Sequence, residues 1–132
     1  FIIAAIGITN LNQYLQLSGS TIYLREAAEI IKQDLAPDQY IYTNHQNLLY
    51  FLTQSSIPTK YVHTSLIYKP DLAKAFGINT ASEIRNIIEK ESRYYLFKGT
   101  LPEPFRLDVD LNYAVIRNFE DEIRLFRRIS KN

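Results

Sequence analysis

The amino-acid sequence predicts an α/β domain: a three-layer sandwich with a mixed sheet, a parallel βαβ core and a C-terminal antiparallel hairpin. Three observations predict it. Strand-like and helix-like patterns alternate along most of the chain. The run Tyr40 to His63, YIYTNHQNLLYFLTQSSIPTKYVH, reads as strand, helix, strand with tight joints, and such a crossover is almost always right-handed. Two further strand patterns, 113–117 and 123–129, have only a turn between them.

Composition agrees with one folded unit. The chain has 132 residues, of which 46% are hydrophobic and 22% charged, enough to bury a core. Net charge is +1, so no overall field draws the chain to nucleic acid or to an anionic membrane. There is no cysteine, which excludes disulfides and thiolate metal sites. Ten tyrosines and seven phenylalanines with no tryptophan predict an aromatic core, and buried phenols need hydrogen-bond partners. The chain starts at Phe1 and contains no methionine, so we expect it to be a piece of a longer protein. Residues 1–18 are expected to form either the end of a transmembrane helix or a helical lead-in. Residues 19–132 are expected to form the α/β domain.

Taken in order, Phe1 to Ile8, FIIAAIGI, is apolar but far short of the ~20 residues that span a bilayer. It also lacks the features of a signal peptide. Leu11, Tyr14 and Leu15 allow a helical turn, which Ser18-Gly19-Ser20 breaks. Ser20 or Thr21 caps a predicted helix to about Leu35, with Tyr23, Ala27, Ile30, Ile31 and Leu35 on one face. Pro37-Asp38 turns the chain into a strand at 40–43. A helix at 48–52 leads to a polar loop and a second strand at 60–63. Pro70 suits the start of a helix to Phe76, with Gly77 as its stop. Thr80-Ala81-Ser82-Glu83 reads as a capping box, with Thr80 as cap, for a helix ending near Glu91. The apolar run at 93–98 is expected to be a central strand. Gly99 to Asp110, with Pro102 and Pro104, reads as a loop. Then comes the hairpin, whose basic residues Arg124, Arg127, Arg128 and Lys131 are expected to guard a sheet edge.

Candidate site residues cluster around the central unit. His45 and His63 are the two histidines, each at a strand end, where open α/β sheets bind ligands. With Thr64 they form one candidate rim. Ser55, Ser56, Thr59 and Lys60 form an opposite rim, with hydroxyls and one ammonium suited to a sugar or phosphate. That loop lacks the glycines and the following Ser/Thr of a P-loop. A helix-to-strand connection is its plainer reading, as packing is for the histidines. No assembled acid, base or nucleophile is visible, and no set of three or four metal ligands. No catalytic residue, metal or cofactor is therefore assigned. Asp108 and Asp110 read as loop residues without a partner base.

Several motifs resemble those of a known family. Ala28-Glu29-Ile30-Ile31-Lys32 is followed by Asp38 and Tyr40-Ile41-Tyr42, then Leu49-Tyr50-Phe51-Leu52-Thr53 and Pro58-Thr59-Lys60-Tyr61-Val62. This series, from roughly Thr21 to Phe97, resembles the soluble C-terminal domain of bacterial polytopic membrane glycosyltransferases. These are the protein mannosyltransferases and the lipid A aminoarabinose transferases. Gln54-Ser55-Ser56 stands where that family usually has a glycine.

The resemblance implies a domain on the extracytoplasmic, periplasmic face of a bacterial membrane, in an enzyme using a polyprenyl-phosphate sugar donor. That family's catalytic acids lie between early transmembrane helices, so none is carried over and the domain alone is expected to be inert. The implied partner is the transmembrane part of the same chain, with a sugar or lipid phosphate as candidate ligand and no nucleic acid. The alternative is an independent cytoplasmic α/β module that binds a small ligand or a protein.

Overall fold

A computed structural model describes residues 22–129. The expectations for residues 1–18, for the cap at Ser20 or Thr21 and for Lys131 lie outside the described residues. The described chain forms helix α1 (Ile22–Lys32), strand β1 (Ile41–Thr43), helices α2 (Leu48–Thr53), α3 (Ser65–Tyr68), α4 (Pro70–Ala75) and α5 (Thr80–Glu89), strand β2 (Tyr94–Lys98), helix α6 (Glu103–Asn112), and strands β3 (Tyr113–Asn118) and β4 (Ile123–Arg128). The four strands make one sheet in the order β1-β2-β4-β3. β1 and β2 are parallel and the other pairs antiparallel. This is the expected α/β class with a mixed sheet. Among the described residues, no helix is long and apolar enough to cross a membrane.

Both faces of the sheet carry core, because side chains alternate along a strand. On one face Ile41, Tyr94, Leu96, Ile123 and Leu125 pack with Leu24, Ala27, Ala28 and Ile31 of α1 and Leu49 and Tyr50 of α2. On the other, Tyr42, Tyr95, Phe97, Tyr113 and Phe126 pack with Ile84 and Ile87 of α5 and Phe105 and Val109 of α6. The second core is the aromatic one: Tyr95 stacks on Tyr113 with ring centroids 4.3 Å apart, and Tyr42 stacks on Phe105 at 5.5 Å. β2 is buried on both sides from Tyr94 to Phe97, the pattern expected of a central strand.

The parallel unit differs from the expected one. Residues 60–63 are not a strand, and β2 takes the place beside β1. The segment after α2 contributes only a bridge between Ser56 and Tyr40. The reason is burial. Val62 and His63 are exposed, whereas 94–97 is buried throughout, so pairing β2 hides more apolar surface. The amide of Tyr61 is satisfied locally by the Thr59 hydroxyl.

The expected loop at 99–110 is largely helix α6. Pro102 and Pro104 sit at the cap and in the first turn, where a missing N–H costs nothing. Phe105, Asp108 and Val109 are buried on one helical face. The capping box is also displaced by one residue. Asn79 is the cap of α5, its Oδ1 accepting from the Ser82 amide at 3.0 Å. Glu83 accepts instead from the Thr59 hydroxyl at 2.6 Å, and the Thr80 hydroxyl donates to the Ile67 carbonyl. Finally, β3 and not β4 is the edge strand, so the arginines of β4 are not edge guards. Arg128 pairs with Glu91, and Arg124 lies over the Phe126 ring.

Candidate functional site

The carboxyl ends of β1 and β2 meet at Asn44. Its side chain accepts from the Lys98 amide at 2.9 Å and donates to the Lys98 carbonyl at 3.1 Å. It thus continues the parallel ladder by one rung and fixes the end of the strand pair.

His45 follows directly. Its Nε2 lies 3.1 Å from the Tyr23 hydroxyl, and its Nδ1 lies 3.1 Å from Asn44 Oδ1. An amide oxygen only accepts, so Nδ1 carries the proton and Nε2 accepts from Tyr23. Burial, aided by the Lys98 ammonium, pulls the imidazole down to about 4. His45 is therefore neutral near pH 7, with both nitrogens engaged and its ring stacked on Tyr23. It clasps α1 to the end of β1 and has no lone pair left for a ligand.

His63 does not join it. Its Nδ1 faces the Asn47 side-chain nitrogen at 3.5 Å in an exposed position. Thr64 serves through its carbonyl, which accepts from the amides of Ile67 and Tyr68 at the start of α3. The first expected rim thus splits into a half-buried clasp, an exposed histidine and a helix start.

The second set lies toward the amino end of β1, where Ser56 bridges Tyr40. The Ser55 hydroxyl lies 2.9 Å from the Thr53 hydroxyl and donates to it, the Thr53 proton being engaged by the Leu49 carbonyl. Thr59 and Lys60 line an open cleft of about 550 Å³ with Glu83 and Asn86 of α5 and Lys90 just past its end. The Lys60 ammonium lies 5.2 Å from the centre of the Tyr61 ring. Ser55 and Ser56 do not line that cleft.

A second, larger concavity lies elsewhere, among residues that carry no sequence motif. A groove of about 750 Å³ runs between α6 and the β3–β4 hairpin, beyond the carboxyl end of β2, the usual ligand side of such sheets. Gly99 turns the chain there with φ of +75°, its amide donating to the Glu122 carbonyl. The spacing of Phe105, Asp108 and Val109 was the available signal for its helical wall.

Among the described residues, no group of three or more His, Cys, Asp or Glu side chains is placed to hold a metal. These surfaces offer hydrogen bonds and charge to a bound molecule. Comparison with protein-family models, curated proteins and solved structures gives no match to this chain.

Proposed function

We propose that this chain is the non-catalytic extracytoplasmic domain of a membrane glycosyltransferase that uses a polyprenyl-phosphate sugar donor. Its role is acceptor recognition, or structural packing over the mouth of the membrane-embedded active site. The observation that carries this reading is the motif series between Thr21 and Phe97. The described part of that series is consistent with one inherited scaffold: Ala28 and Ile31, Ile41 and Tyr42, and Leu49, Tyr50 and Thr53 are all buried. The Tyr50 hydroxyl accepts from the Thr43 amide at 3.1 Å, and the Thr53 hydroxyl donates to the Leu49 carbonyl at 2.8 Å. Motif residues with such interior roles suit a supporting domain better than a catalytic one.

The coding sequence upstream of Phe1 tests the proposal. The expected result is a series of apolar segments of about 20 residues each. A reading frame that opens within a few codons of Phe1 would overturn it. In the full-length protein, sugar transfer from a polyprenyl-phosphate donor is expected to require the membrane part. Transfer by this domain alone would also overturn it.

A further inference from the structure

We infer that the groove between α6 and the hairpin binds a short peptide with both ends free and an apolar side chain between them. Its floor is apolar: Phe126 is buried, Val115 is 46% exposed, and both line the groove together with Leu101. Charges of both signs stand around this floor. Arg124 has its guanidinium 5.4 Å from the centre of the Phe126 ring and no carboxylate partner among the described residues. Asp110 and Glu122 also line the groove with no ion pair among the described residues. Arg106, the other lining cation, is tied to Glu103. The free charges are thus one cation and two anions. They suit a ligand carboxylate at Arg124 and a ligand ammonium at Asp110 or Glu122.

The wall of the groove explains why the ligand is a peptide. β3 supplies Tyr113 and Val115 to it, and β3 pairs only with β4, leaving its outer edge without a strand partner among the described residues. Such an edge offers main-chain hydrogen bonds to an extended chain. The register breaks between Val115 and Arg117, so the regular edge is the three residues Tyr113 to Val115. An extended tripeptide spans about 10 Å, at 3.3 Å per residue, which matches that edge. The groove lies wholly after Phe97, outside the resembling run, so this reading and the membrane reading stand or fall separately.

Titration of the ¹⁵N-labelled chain with the free tripeptide Ala-Leu-Ala, followed by amide chemical shifts, tests the inference. Shifts are expected at Gly99, Val115 and Arg124, with saturation corresponding to a dissociation constant of about 1 mM or tighter. N-acetyl-Ala-Leu-Ala-amide, which lacks both charges, is expected to bind at least about tenfold more weakly. Arg124→Gln and the paired substitution Asp110→Asn with Glu122→Gln are each expected to weaken the free peptide, and Lys60→Gln, on the other cleft, to leave it unchanged. The variants' amide spectra report whether they fold. Equal binding of the capped peptide, shifts confined to the Lys60 cleft, or no shifts at several millimolar peptide would each overturn the inference.

Discussion

The Tyr95 hydroxyl donates to Oδ2 of Asp108 at 2.9 Å, and both side chains are buried. This bond joins the central strand to α6, the helix that walls the groove. The other carboxylate oxygen accepts from Asn112 at 2.9 Å. Tyr95→Phe keeps the ring packing against Phe97, Phe105 and Tyr113 but leaves Asp108 Oδ2 short of a donor. The expected cost is about 1–3 kcal/mol, read from urea unfolding. A cost below about 0.5 kcal/mol would show that the carboxylate finds solvent and that the bond does not secure the helix.

Phe105 tests α6 more directly. It is fully buried and touches Tyr42, Tyr95 and Phe97. Phe105→Ala is expected to destabilise the fold by about 3–5 kcal/mol. Pro104→Ala, at an exposed position in the first turn, is expected to change stability by no more than about 1 kcal/mol. If both substitutions proved equally mild, residues 103–112 would be the loop that their prolines suggest.

The pH dependence follows from His45. Its folded value near 4 lies below the ordinary 6.5, so between these values the unfolded chain holds the more protons. The His45 contribution to stability is therefore complete above about pH 6.5 and is lost progressively as pH falls toward 4. NMR titration of the imidazole should show it neutral down to about pH 4. His45→Gln is expected to flatten melting temperature against pH across that window, relative to the unsubstituted chain. An imidazole that titrated near 6.5 in the folded protein would remove the basis for this clasp.

The cap of α5 gives a local test. Asn79→Ala removes the acceptor for the Ser82 amide and is expected to cost about 0.5–2 kcal/mol. Asn79→Ser is expected to recover most of it, since serine also caps. A full loss with serine would mean that Asn79 acts through something other than the cap.

The sequence by itself determined the α/β class, the central strand and the closing hairpin. Each rests on a local pattern strong enough to survive any context. The run at 94–97 is apolar on both faces, and Ile123, Leu125 and Phe126 alternate between the two cores as their spacing demands. Gly77 stops α4 with φ of +66°, as a glycine there should. Tertiary structure decided where local signals were even. Residues 60–63 have strand chemistry, but pairing them would hide little, so β1 took β2 as its partner. Two prolines spell a loop, but a buried face at Phe105, Asp108 and Val109 turns the same stretch into a helix. The candidate sites were less legible for the same reason. His45 and His63 lie 18 positions apart near one end of the sheet, but only the fold sends one ring into a half-buried clasp with Tyr23 and leaves the other exposed. The groove joins Gly99, Asp110, Val115 and Arg124, residues with no shared motif. Only the order β1-β2-β4-β3 places the turn after β2 beside the inner strand of the hairpin.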